Sequence, residues 1–137
     1  MTRLVLLDNE AVQALASPEH AKHRKVISII QVVASRKRRA VPLSLAVPTT
    51  VRAEAGWDRT SPSWAFANRL RIADIPLDSG YTNAAAAIRC DAHCSVADAH
   101  LGAAIQASAA ADITIVTSDP ADMRRVAGDK SVTIAII

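Results

Sequence analysis

Aromatic side chains are almost missing from this chain: one Phe, one Tyr and two Trp, 3% of 137 residues. The core must therefore be filled by Ala, Val, Ile and Leu. Hydrophobic residues make up 50% of the sequence, which excludes a disordered chain. Cysteine is scarce as well. Cys90 and Cys94 are too few for the disulfide framework of a small secreted domain. No apolar run approaches the roughly 20 residues of a membrane helix. Asp8, Glu10 and Gln13 interrupt any apolar stretch that a leader peptide would need. These absences predict a reduced cytoplasmic protein with no membrane segment. The length suits a single domain, 1–137, with one core.

Negative charge is missing locally. From His20 to Ala53 there is no Asp or Glu, while Lys22, Arg24, Lys25, Arg36, Lys37, Arg38, Arg39 and Arg52 all fall there. The net charge is only +3, so the asymmetry says more than the total. A concentrated basic stretch fits a polyanionic partner. It is equally compatible with a solvated helix face.

What is present near the N-terminus is a short apolar run, Val5 to Leu7, followed at once by Asp8. Such a run reads as a strand buried on both faces. Asn9 to Ser17 reads as a helix. Ser17-Pro18-Glu19 predicts the start of a second helix, Ser as N-cap and Pro at the first helical position. That helix carries Val26, Ile29, Ile30 and Val33 and ends in Arg36 to Arg39. Val41 to Val47 is a strand candidate weakened by Pro42. Pro48-Thr49-Thr50 opens a helix through Glu54 that Gly56 breaks. Trp64 to Leu70 is a further helix, Ile72 to Leu77 a short strand, and Asn83 to Arg89 a helix capped by Asp78. Ser95 to Ala110 is the clearest helix. Ile113 to Val116 is strongly β, Asp119-Pro120 starts a short helix, and Val132 to Ile137 is a last strand. Strands alternating with helices predict an α/β fold, a mainly parallel sheet covered on both sides.

In that arrangement four acids fall at comparable places: Asp8 after the first strand, Glu54 after the second, Asp98 in the first turn of the long helix, and Asp119 after the strand Ile113 to Val116. Ligands of open α/β sheets bind at the carboxyl ends of the strands. Carboxylates gathered there repel one another unless a cation neutralises them. An all-oxygen set suits Mg²⁺ or Mn²⁺ rather than zinc. Such an ion beside a phosphate activates water and stabilises the leaving oxygen. Each acid also has a plain structural reading. Ser95-x-x-Asp98 is an acceptable capping box, Asp119-Pro120 a good helix start, Asp8 a cap, and Glu54 a surface residue near Arg52.

Val5-Leu6-Leu7-Asp8, Val47-Pro48 through Glu54, Ser95-Val96-Ala97-Asp98-Ala99-His100 and Val116-Thr117-Ser118-Asp119 resemble, in order and spacing, the four acidic blocks of PIN-domain ribonucleases, and in particular the VapC toxins of VapBC toxin–antitoxin modules. The resemblance implies a three-layer α/β/α PIN-like fold. It also implies an endoribonuclease dependent on Mg²⁺ or Mn²⁺, dimeric, and inhibited by a VapB-like antitoxin. By position Asp8, Glu54, Asp98 and Asp119 take the catalytic acidic roles, with Asp8, Asp98 and Asp119 around the metal and Thr117 at the hydroxyl position beside it. Asn9 stands where the family commonly has a small hydroxyl residue, Glu10 adds charge, and Ser95 stands where many relatives have a further acid. Asn9 and Asp122 are supporting positions. Arg36, Lys37, Arg38 and Arg39 are candidates to track the RNA backbone.

Other residues carry weaker signals. Cys90-x-x-His93-Cys94 lacks a second ligand pair at a zinc-site spacing, so buried thiols are the simpler reading. His100 lies about 200° around the helix from Asp98, which favours packing over general-base work. Trp57 and Trp64 either stack on bases or anchor a helix pair, the second being favoured. A phosphoaspartyl phosphatase is a rival for Asp8. Such an enzyme needs a second Asp two residues on, where this chain has Glu10, and a lysine near the last acids, where Lys130 is distant. A non-catalytic PIN-like binding module is the other rival.

Overall fold

The computed structural model describes residues 2–35 and 43–137. Five strands form one sheet: β1 (Arg3–Leu7), β2 (Leu43–Pro48), β3 (Ile72–Ile75), β4 (Asp112–Thr117) and β5 (Thr133–Ile136). Their order is β3-β2-β1-β4-β5, and every neighbouring pair is parallel. β1 lies at the centre. Val5, Leu6 and Leu7 are all buried; because consecutive strand residues point to opposite faces, both faces there must be covered.

The covers are seven helices among the described residues: α1 (Asn9–Ala16), α2 (His23–Ser35), α3 (Thr49–Ala55), α4 (Ala65–Arg69), α5 (Ser79–Ala92), α6 (Val96–Ala107) and α7 (Pro120–Ala127). From β1 the chain steps outward to β2 and β3, then returns past β1 to β4 and β5. Right-handed crossovers place α1 to α4 on one face and α5 to α7 on the other. α1 touches α2, α3 and α4, and α6 touches α5 and α7; α3 also reaches α6. The reversal of direction falls between β1 and β4, the point where open α/β sheets form their ligand crevice. No helix among the described residues is long and apolar enough to cross a membrane.

α6 is buried nearly all round, from Ala97 to Ile105 apart from Asp98. Its run of Ala and Gly lets the sheet, α5 and α7 approach it closely, compensating for the shortage of aromatic filler. Trp57 and Trp64 do anchor helices: their rings stack with centroids 5.8 Å apart, and Trp57 Nε1 donates to Asn68 Oδ1 at 2.7 Å.

Several boundaries differ from the sequence expectation. Ser17 does not start α2; its N–H bonds the Gln13 carbonyl and closes α1. The chain then turns on itself, with His20 N–H on the Ser17 carbonyl and His23 N–H on the His20 carbonyl, both at 3.0 Å, before α2 begins at His23. A local cap signal lost to these turns and to the contact of His20 Nε2 with the Glu10 carboxylate, 3.1 Å. α5 is longer than expected, because Asp78 accepts from the Tyr81 N–H and starts the helix at Ser79. The expected ends of α2 and of the strand opening at Val41, including Arg36, Lys37, Arg38 and Arg39, lie outside the described residues.

Candidate active site

Asp8 leaves the end of β1, and Thr117 is the last residue of β4 beside it. Asp8 is 7% exposed and both carboxylate oxygens are engaged. Oδ1 accepts from the Ala11 N–H at 2.9 Å, and Oδ2 accepts from Thr117 Oγ1 at 2.5 Å. Asp8 is thus a helix cap and a site acid at once. Burial pushes its pKa above the ordinary value; the hydrogen bonds from Thr117 and Ala11 oppose that, and the charge of Glu10 adds to it. Thr117 is fully buried, and its hydroxyl also accepts from the Asp119 N–H at 2.9 Å, tying Asp8 to the turn between β4 and α7.

Asp98 stands in the first turn of α6, where Ser95 Oγ accepts its N–H at 3.1 Å. Its carboxyl is half-buried, and burial pushes its pKa up. The charges of Asp122, Glu54 and Asp8, in that order, push it further. Carboxylates from α3, from α7 and from the junction of β1 with α1 therefore act on the one from α6.

Asp119 takes the capping position that Asp119-Pro120 offered as its plain structural reading. Its Oδ1 accepts from the Asp122 N–H at 3.3 Å, so it caps α7, and the α7 acid whose field is felt at Asp98 is Asp122. The Asp122 carboxyl is itself raised, first by its hydrogen bond with Asp119, then by burial and the Asp119 charge, against the opposing pull of Arg125, 3.0 Å away. Asp122, a supporting position in the sequence, is near enough for its charge to act on Asp98. Glu54 is exposed and accepts from Asn9 Nδ2 at 2.6 Å, while Asn9 Oδ1 accepts from Gln13 Nε2 at 2.7 Å. Gln13 went unnoticed in the sequence, although it sits one helical turn from Asn9.

The donors available to a cation are all oxygens. Among the described residues no three His, Cys, Asp or Glu side chains close on a common point. Mg²⁺ asks for no such cage, since it usually keeps several waters and takes one or two carboxylates plus substrate phosphates. The mutual repulsion at Asp98 is what a cation would relieve, so donor type and charge fit a hydrated hard ion. Cys90, His93 and Cys94 form no such group either. Cys90 is exposed and Cys94 half-buried, so neither is the buried thiol expected. His100 is a packing residue: it is fully buried, its Nδ1 lies 2.8 Å from Thr50 Oγ1, and burial pushes its pKa down.

No family model matches the sequence, and no curated protein does so. The fold, however, is shared. The structure of VapBC2 from Rickettsia felis bound to a DNA fragment from their promoter contains a chain that matches with a TM-score of 0.61 at 12% identity, over 98% of each chain. The structure of FitAB bound to an IR36 DNA fragment contains one that matches with a TM-score of 0.57 at 19% identity, over 95% of this chain and 94% of that one. At such identities the likeness is one of fold. The chain has the three-layer PIN-like architecture that its four acidic blocks resemble.

Proposed function

We propose that this chain is the toxin of a type II toxin–antitoxin module, an endoribonuclease that hydrolyses RNA phosphodiester bonds with Mg²⁺ or Mn²⁺. The observation that carries the reading is Asp8 at the carboxyl end of the central strand, held by Thr117 of β4 at the switch point of a parallel sheet, with the charges of Asp122, Glu54 and Asp8 raising the pKa of Asp98. The fold shared with chains of VapBC2 and FitAB supports it.

Asp8 and Asp98 would hold the ion, with Asp122 or Asp119 completing its surroundings. Bound there, Mg²⁺ or Mn²⁺ supplies Lewis-acid polarisation of the phosphoryl oxygen and lowers the pKa of a coordinated water. Thr117 and the Ala11 N–H fix both oxygens of Asp8, so that carboxylate is oriented before substrate arrives. Asn9 holds Glu54 at the rim, where a carboxylate can accept a proton from the attacking water. The basic stretch Arg36 to Arg39 would follow the RNA backbone.

The partner is a VapB-like antitoxin, and the active form a homodimer in the cytoplasm. A partner arginine entering the acidic cleft would pair with its carboxylates in bidentate fashion. A phosphoaspartyl enzyme is disfavoured. Glu10 stands where the second Asp is needed, and it is drawn to His20 at 3.1 Å and Lys22 at 3.8 Å. The non-catalytic module gains only from the open arrangement of the acids.

The test is cleavage of end-labelled single-stranded RNA by the purified chain, with Mg²⁺, with Mn²⁺ and with chelator. The reading predicts scission that chelator abolishes. Uncut RNA at every ion concentration would leave the binding module.

A further inference from the structure

His100 is one of three polar or charged side chains buried among the described residues. The other two, Asp8 and Thr117, belong to the site already described. The His100 ring is fully covered, with Tyr81 against it at a centroid distance of 5.7 Å, and its Nδ1 lies 2.8 Å from Thr50 Oγ1. A packed interior holds such a ring in one orientation, so the bond to Thr50 is a fixed point.

That bond joins two helices that need joining. Thr50 is the second residue of α3, just past the end of β2, and Glu54 follows one helical turn later on the same side of the helix. His100 lies on α6, two residues beyond Asp98. α3 and α6 cover different faces of the sheet and meet over the carboxyl end of β2, which α6 also touches. α3 has only seven residues, and a helix so short takes its place from its contacts rather than from its own propensity. Both of its first residues are tied: Thr49 Oγ1 accepts from the Leu77 N–H at 3.3 Å, and Thr50 meets His100. Glu54 is close enough for its charge to act on Asp98, and Asn9 orients its carboxylate at 2.6 Å. Asn9 settles the side chain; it leaves open what settles the helix beneath it.

We propose that Thr50 and His100 are positioning residues for Glu54: their hydrogen bond ties α3 to α6 across the carboxyl edge of the sheet and so sets where the Glu54 carboxylate stands relative to Asp98. This rests on the nuclease reading and adds how its water-activating acid is placed. Neither residue touches substrate, and the effect runs through the backbone of α3.

The test compares cleavage of labelled single-stranded RNA by the full-length chain and its variants at saturating Mg²⁺. Thr50→Val keeps the shape of the side chain and removes the hydroxyl, Thr50→Ser keeps the hydroxyl, and Thr50→Ala removes it with less bulk. Thr50→Val and Thr50→Ala should each lower kcat about tenfold with KM nearly unchanged, part of the roughly hundredfold that a displacement of about 1 Å can cost. Thr50→Ser should recover most of the rate. In a Glu54→Gln background, already slow for want of the carboxylate, Thr50→Val should change the remaining rate little, because residues acting through one another are not additive. The rise in melting temperature with Mg²⁺ should be the same in Thr50→Val as in wild type. A wild-type kcat in Thr50→Val, or an equal fall with and without the Glu54 carboxylate, would overturn the positioning role and leave the nuclease reading standing. A lost response to Mg²⁺ in Thr50→Val would overturn it too, by showing a general loosening of the site. A wild-type chain that cuts no RNA would overturn the role together with the reading it rests on.

Discussion

Gly102 of α6 lies so close to Val126 of α7 that a Cβ added to it would meet the Val126 carbonyl oxygen at 2.6 Å and Val126 Cβ at 2.8 Å. One helical turn earlier on the same two helices stand Asp98 and Asp122, and the charge of Asp122 is among those that raise the Asp98 carboxyl. The absent side chain at Gly102 therefore sets how near the two helices come, and with them the backbone that carries the two acids.

Gly102→Ala consequently tests packing and site together. Alanine is the better helix former by about 1 kcal/mol, but a clash with backbone forces the helices apart at about 1–3 kcal/mol. The expected net result is a loss of stability in denaturant unfolding and a weaker stabilisation by Mg²⁺. A more stable variant with unchanged Mg²⁺ response would show that the contact does not set the spacing.

Thr117→Val removes the hydroxyl that joins Asp8 to the Asp119 N–H while keeping the shape of the side chain. It leaves a buried carboxylate oxygen and an amide without their partner, a loss of about 1.5–3 kcal/mol for hydrogen bonds to a charged group. Thr117→Ser, which keeps the hydroxyl, should recover most of it. Equal unfolding midpoints for the Val and Ser variants would contradict the role given to the hydroxyl.

Asp74 on the edge strand β3 is bridged by Arg59 at 2.8 Å and Arg52 at 2.7 Å. Burial alone would raise its carboxyl, but the hydrogen bonds and charges of the two arginines outweigh burial and hold it below 3.8. A depressed folded value means stability that is present above pH 3.8 and lost as pH falls through the lower folded value. The difference in thermal midpoint between wild type and Asp74→Asn should thus be constant near neutrality and shrink only below pH 3.8. A difference that fades already between pH 7 and 5 would assign it to another group.

Burial and its acidic neighbours raise the Asp98 carboxyl, so the sign there is opposite: the metal-free fold gains from protonation and loses as pH rises through the folded value. At neutral pH in chelator Asp98→Asn should melt no lower than wild type. Mg²⁺ should stabilise wild type by mass action, about 2.7 kcal/mol at a hundredfold excess over its dissociation constant, and the variant much less. Identical melting shifts in the two proteins would remove Asp98 from the ion site.

The central strand and α6 were legible because their signals are strong and local: three apolar residues ending in Asp8, and a long Ala-rich stretch headed by Ser95. Placement at the carboxyl edge followed from strand alternation alone. Ser17 misled because cap chemistry is short-range, and the turn to His23 rests on the contact of His20 with Glu10. Asp119 and Asp122 could not be ranked, since both fit the first turn of a helix and only the packing of α7 on α6 decides whose charge acts on Asp98. The bond of Thr50 with His100 was invisible, because it depends on two helices meeting and not on any spacing within either.

Scission of labelled single-stranded RNA by wild type and by a demonstrably folded Asp98→Asn protein, each at millimolar Mg²⁺, tests the account most directly. It predicts cleavage by wild type that chelator stops, and none by the variant despite an unfolding midpoint at least as high. Cleavage by the variant at the wild-type rate, with the same dependence on Mg²⁺, would contradict it.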